Sequence, residues 1–258
     1  MFVEFEDHIL HCETHGDPAK PALILIHSLG TCASVWEKQV QALSADYFII
    51  CPDLRGHGLS EVSRSAVSIQ SLADDVHAIV ASLNLDSYHV CGISIGGLVA
   101  QAFSARHPDR VKTLTLLDSN LVSLNPPMWR ERAKKCRKDG LSSIAEGVLS
   151  RWMTPGYRQS VEGRALSTML ARTPDEGYAA ACEALADADC RAHARVLRMP
   201  MTVALGEFDE ATPRAASETL AAALGGLEVK TIPGAAHIPL FEAAPQVNAL
   251  LAAALANN

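Results

Sequence analysis

The chain has 258 residues, 48% of them hydrophobic and 20% charged, enough apolar surface to bury a substantial core in one α/β unit with an insertion. A net charge of −7 with only 5% aromatic residues argues against nucleic acid as a partner, and seven scattered cysteines without C-x-x-C or Cys/His spacing give no metal or disulfide pattern. The start of the chain, with Glu4, Glu6 and Asp7, lacks the basic and then apolar pattern of a signal peptide, and no stretch is apolar enough to span a bilayer, so a cytoplasmic protein without a membrane partner is expected.

In chain order, residues 2–5 and 9–14 alternate weakly about Glu6-Asp7, as in an antiparallel hairpin at a sheet edge. Apolar bursts follow at 22–27, 47–51, 88–91, 111–117, 201–205 and 227–232, with helical patterns at 34–43, 69–83, 97–107, 213–224 and 245–255 between and after them. Strands alternating with helices predict a mainly parallel sheet covered on both faces. The rhythm breaks once. Between residues 117 and 201 the character is helical, punctuated by Pro126-Pro127, Gly140, Pro155-Gly156 and Pro174. A structureless loop of that length is improbable, so residues 120–199 are read as a helical cap inserted into a core made of 1–119 and 200–258. Residues 121–199 carry 13 of the 22 Lys and Arg but only 9 of the 29 Asp and Glu, making them +4 and the remainder −11. Two readings stay open: ordinary solvated helix faces, as expected for Lys134, Lys135 and Lys138, or an electropositive lid that draws in an anionic substrate.

The run Gly92-Ile93-Ser94-Ile95-Gly96-Gly97 falls between a predicted strand and a predicted helix. A serine on so sharp a turn is a G-x-S-x-G nucleophile elbow, which lifts the hydroxyl clear of the sheet at a helix N-terminus. A serine hydroxyl needs a base, and the base an orienting carboxylate, in the chain order Ser, acid, His. Asp209 follows the strand 201–205 and His237 the strand 227–232, both at strand C-terminal ends, where open parallel sheets place their sites. Asp118 also ends a strand and remains an alternative acid, Glu207 a weaker one, and His57, in the glycine-rich turn 53–58, is read as structural. The oxyanion donors are assigned to the backbone N–H groups of Ile95, next to the nucleophile, and Leu29, in the turn 27–30.

Together, His27-Ser28-Leu29-Gly30, the run 53–60, the Ser94 elbow, Asp209 and His237 resemble the α/β-hydrolase superfamily over nearly the whole chain. Within it, the cap is similar to that of the 3-oxoadipate enol-lactonases, in Met128-Trp129 with Arg132, in the run 151–155, and in the run 172–182 with Leu185 and 187–189. The resemblance implies an α/β-hydrolase fold and a serine hydrolase, without cofactor or metal, that opens a small anionic lactone through an acyl-enzyme. Its substrate's pendant carboxylate needs a cationic or hydrogen-bonding partner, for which Arg132, Arg151, Trp129 and Trp152 are candidates by position, the two tryptophans being equally suited to packing between cap helices. The segment 118–127 departs from the family's usual Asn-Thr or Asp-Thr step followed by small residues, which leaves a related ester or lactone open as the substrate. Perhydrolase or C–C bond hydrolase chemistry would use the same triad, and a ligand receptor on the same fold would bind without turnover.

Overall fold

The computed structural model of the chain describes residues 1–256. Eight strands, β1 (Phe2–Phe5), β2 (His8–His15), β3 (Ala22–Ile26), β4 (Phe48–Pro52), β5 (Tyr88–Ile93), β6 (Val111–Leu117), β7 (Met201–Gly206) and β8 (Val229–Ile232), lie in the order β1-β2-β4-β3-β5-β6-β7-β8. The β1–β2 and β2–β4 pairings are antiparallel, and every pairing from β4 to β8 is parallel. All residues of β3, β4 and β5 are buried, which for side chains alternating between faces means that both faces are covered. These are the continuous apolar runs of the sequence. The edge strand β1 alternates between exposed and half-buried residues instead.

The helices are α1 (Glu37–Leu43), α2 (Ile69–Ser82), α3 (Ile95–Arg106), α4 (Pro126–Asp139), α5 (Ala145–Trp152), α6 (Val161–Arg172), α7 (Asp175–Ala186), α8 (Arg191–Ala194), α9 (Arg214–Ala223), α10 (Pro239–Glu242) and α11 (Ala244–Leu255). α2 packs on α3 and α1 on α11, against the sheet. The small residues of α3 let it sink into the core, where Ile95 to Ser104 are all buried. It begins at Ile95, two residues before the helical pattern suggested, because the helix starts directly at the elbow.

Helices α4 to α8 all fall between β6 and β7, where the alternation stopped. Asn125 accepts the Met128 N–H at 3.1 Å and caps α4, with proline in its first turn. The linker into this cap is stapled to the stretch leaving it: Ser123 N–H donates to the Ala188 carbonyl at 2.8 Å and Cys190 N–H to that of Leu121 at 2.8 Å. Entry and exit are thus held side by side above β6 and β7. Among the described residues, no helix is long and apolar enough to cross a membrane.

Candidate active site

Ser94 joins β5 to α3 with φ 57° and ψ −121°, a strained conformation for a residue with a side chain. Its neighbours explain how so tight a turn closes. A Cβ on Gly92 would lie 2.1 Å from the Gly96 carbonyl oxygen, and one on Gly96 2.3 Å from that of Ile26, so only glycine lets the helix start sit against β3 and β5. The end of β6 fixes the elbow further, with Ser94 N–H donating to the Leu117 carbonyl at 2.9 Å and Ser119 Oγ to the Ser94 carbonyl at 2.9 Å.

The turn after β3 is anchored by His27. Its Nε2 accepts the Leu54 N–H at 2.8 Å, so its Nδ1 carries the proton and donates to the Ser28 carbonyl at 2.7 Å. Leu29 sits in this turn, and neither its N–H nor that of Ile95 has a protein acceptor among the described residues. His57 lies fully buried beside His27, ring centroids 5.4 Å apart, and burial pushes its pKa down to about 3. It is a neutral packing residue of the 53–60 turn, as expected.

His237 and Asp209 meet at the ends of β8 and β7. Nδ1 of His237 lies 2.9 Å from Oδ2 of Asp209, and the two residues are only 3% and 8% exposed. The other carboxylate oxygen of Asp209 accepts the N–H groups of Ala211 at 2.8 Å and Thr212 at 3.0 Å. Burial opposes ionisation of Asp209, yet the His237 ring and these donors together hold its pKa below the usual carboxylate value. A carboxylate only accepts, so Nδ1 of His237 carries the hydrogen and Nε2 is left as an acceptor. Glu207 takes another part, accepting the Gly234 N–H at 2.9 Å and tying the two loops together. Asp118 accepts the Gly206 N–H at 2.7 Å and makes no bond to His237.

One ligand atom each of Asp118, Asp209 and His237 lies within 4.8 Å of the others, the sole such grouping among the described residues. A metal ion there would have to break the Asp209–His237 bond, so the donor set fits an oriented imidazole better than a cation.

Ser94 and His237 both line two adjoining lobes of about 50 and 60 Å³. The first is walled by Leu29 from the core and by Trp129, Arg132, Arg151, Trp152 and Tyr178 from the cap, and the second adds Ile95, Asn120 and Leu124. A water needs about 10–15 Å³ of such space, so each lobe suits only a small molecule. Arg132 and Arg151 also line an outer vestibule of about 300 Å³, joined by Lys135, which the charge pattern alone had left on a solvated face. All four expected cap residues thus reach the Ser94 cavity. The guanidinium of Arg132 stacks 4.7 Å from the centroid of the Trp129 ring. Trp152 is 5% exposed in the core, its carbonyl accepts the Ile238 N–H at 2.9 Å, and it also lines the cavity. Two larger concavities, of about 360 and 370 Å³ beside Glu13 and Ser34, contain no residue of this constellation.

Tyr178 is the residue that sequence reasoning passed over. It is fully buried, lines the first lobe, and its hydroxyl has no protein hydrogen-bond partner among the described residues. Burial pushes its pKa up, while the nearby Arg132 charge pulls the other way. Its position in the run 172–182 was the one available signal.

A family model described as alpha/beta hydrolase fold matches residues 21–140. The chain is 36% identical over 209 residues to 3-oxoadipate enol-lactonase 2 of Acinetobacter baylyi, covering 80% of this chain and 78% of that one. The chain belongs to the α/β-hydrolase family. 3-Oxoadipate enol-lactonase 1 of the same organism is 32% identical over 214 residues, covering 82% and 80%. Among solved structures of α/β-hydrolases, the enol-lactonase from Burkholderia xenovorans LB400 superposes with a TM-score of 0.92 at 32% identity, covering 99% of this chain and 100% of that one. The expected α/β-hydrolase fold is therefore the observed one, and this α/β-hydrolase is an enzyme of the ester and lactone hydrolase type.

Proposed function

We propose that the protein is a serine hydrolase that opens 3-oxoadipate enol-lactone to 3-oxoadipate, with Ser94 as nucleophile, His237 as general base and Asp209 as its orienting acid. One observation carries the proposal: a serine strained at φ 57° on an elbow shares its cavity with a buried imidazole whose Nδ1 is bonded to a carboxylate at 2.9 Å. The relatives named enol-lactonases supply the substrate.

Nε2 of His237 takes the Ser94 proton as Oγ attacks the lactone carbonyl carbon. The carbonyl oxygen becomes an oxyanion that accepts from the Ile95 and Leu29 N–H groups, which have no acceptor among the described residues. Collapse breaks the ring C–O bond. The enolate oxygen, still part of the same molecule, takes the proton from the imidazolium, and the enol reverts to the ketone. Water then gives a proton to His237 and its oxygen to the acyl carbon, and Ser94 leaves with that proton, so the enzyme is regenerated and one water is consumed.

The pendant carboxylate meets Arg132 and Arg151, with the Tyr178 O–H as a further donor. Arg130, Arg137, Arg158 and Arg191 are paired with acids of the same cap, and of the cap arginines without an ion pair among the described residues, Arg132 and Arg151 are those that line the Ser94 cavity. Residues 120–199 then act as the specificity-bearing lid of the core, and the vestibule with Lys135 as its anionic approach.

The test is hydrolysis of 3-oxoadipate enol-lactone, followed by loss of its ultraviolet absorbance, with Ser94→Ala as blank. Turnover that disappears in the variant supports both substrate and nucleophile. No turnover, with carboxylate-bearing aryl esters still cleaved, keeps the serine mechanism and assigns a different acid, with Asn120 and Leu124 shaping the inner lobe.

A further inference from the structure

Asp118 is a buried acid without an evident task. It sits at the end of β6 with φ 46°, a conformation costly for a residue with a side chain, and it is fully buried. Its backbone is used: the N–H donates to the Ala204 carbonyl at 2.9 Å, and the carbonyl accepts Thr212 Oγ1 at 3.0 Å. Oδ1 accepts the Gly206 N–H at 2.7 Å. Oδ2 is buried and meets no protein donor among the described residues. The titratable groups facing it among the described residues are Asp209 and His237, a ligand atom of each lying within 4.8 Å of one of Asp118. Among the described residues, no cation is paired with either carboxyl except the imidazole when it is protonated.

Two ionised carboxylates cannot share a dry site at that range, so one of them keeps a proton. Asp209 is the one held ionised, because it accepts two backbone N–H groups and the Nδ1 proton of His237. Asp118 has a single N–H and a bare oxygen. We propose that Asp118 is a neutral carboxylic acid whose O–H donates to the Asp209 carboxylate, making it a positioning residue that holds the triad acid from behind. It touches no substrate and keeps its proton throughout turnover. The inference rests on Asp209 being the triad acid. Burial, then the Asp209 charge, moves the Asp118 pKa well above its ordinary value, in agreement.

A neutral Asp118 has a consequence for stability. An aspartate with a raised folded pKa loses stability as pH climbs from its unfolded value, 3.8, toward the folded one, because only the folded state retains the proton. Asparagine has no such proton to keep, yet its amide can accept from Gly206 and donate to Asp209. Asp118→Asn should therefore melt at or above the wild-type temperature at neutral pH, with the difference shrinking as pH falls toward 3.8.

The experiment compares wild type, Asp118→Asn, Asp118→Leu and Asp209→Asn on a carboxylate-bearing aryl ester across pH, with infrared spectra of protein labelled with carbon-13 at the aspartate carboxyls. Asp118→Asn is expected within about threefold of wild-type kcat with an unmoved acid limb, since no charge near His237 is lost. Asp118→Leu, which removes the donor, should lower kcat about tenfold with little change in KM. Asp209→Asn should lose about 10⁴-fold. The carbonyl band of a protonated acid should be present at neutral pH and absent in Asp118→Asn. A missing band, or an Asp118→Asn loss as deep as that of Asp209→Asn, overturns the proposal. If Asp209→Asn keeps its activity, the triad reading fails instead, and the infrared band still decides whether Asp118 holds a proton.

Discussion

The two walls of the Ser94 cavity hold their polar groups in opposite ways. On the sheet side, the Ser94 backbone is bonded to Leu117 and Ser119 at the end of β6, Asp209 to Ala211 and Thr212 in the loop after β7, and His237 to Asp209, all by bonds of 2.8 to 3.0 Å. On the cap side, the Tyr178 hydroxyl has no protein partner and Arg132 and Arg151 no ion pair among the described residues, although the cap's other arginines along α4 include paired ones. Fixed groups stabilise the same charge redistribution in every turnover without reorganising. The Tyr178 hydroxyl, buried without a partner, is costly alone and gains from a ligand that pairs it, while Arg132 is half-buried and Arg151 exposed, so the cap's polar groups should serve discrimination with Tyr178 the most sensitive of them. Under the proposed function, chemistry falls to the sheet ends and selectivity to the helices.

Breaking the sheet side should have the largest effect. Ser94→Ala should lower kcat about 10⁴-fold or more on every ester while circular dichroism shows the fold intact; a substantial residual rate would remove Ser94 from the mechanism. On the cap side, Arg132→Ala should raise KM for carboxylate-bearing substrates about 10- to 100-fold, the worth of a charge-assisted bond, and leave neutral esters nearly untouched in steady-state assays. The joint between the walls is the next target. A Cβ on Gly177 of α7 would fall 2.0 Å from the Gly56 carbonyl oxygen, backbone against backbone. Gly177→Ala should cost about 1–3 kcal/mol in denaturant unfolding, and an unchanged midpoint would mean that cap and core are not pressed together there. Smallest is Lys135→Glu at the vestibule, expected to lower kcat/KM for anionic substrates a few-fold at low salt and hardly at all at high salt.

The sheet side was legible in the sequence because each of the three residues that meet there follows its own strand within a few residues, so strand, turn and candidate side chain are read from one local window. Ser94, Asp209 and His237 needed only the parallel order of β5, β7 and β8 to converge. The contact of Asp118 with Asp209 was not legible, since it depends on the β6–β7 register that sets Leu117 beside Ala204. Arg132 and Arg151 could be placed in the cap, but their freedom from ion pairs arises from which acids α7 and α5 bring within reach, a matter of helix packing rather than spacing. Tyr178 at a helical position reads as ordinary core, and its unpartnered hydroxyl appears only when α7 is laid over the turn after β3, where its ring would stand 3.0 Å from a Cβ on Gly30.

The division between walls is tested most directly by one pair of aryl esters, identical except that one acyl chain ends in a carboxylate and the other in a methyl ester. Steady-state kcat/KM for both is measured on wild type, Ser94→Ala and Arg132→Ala. Ser94→Ala should abolish both reactions, and Arg132→Ala should erase the preference for the carboxylate while the neutral ester is cleaved at its wild-type rate. Equal loss of both esters in Arg132→Ala would contradict the account, because the cap arginine would then belong to the common machinery rather than to selection.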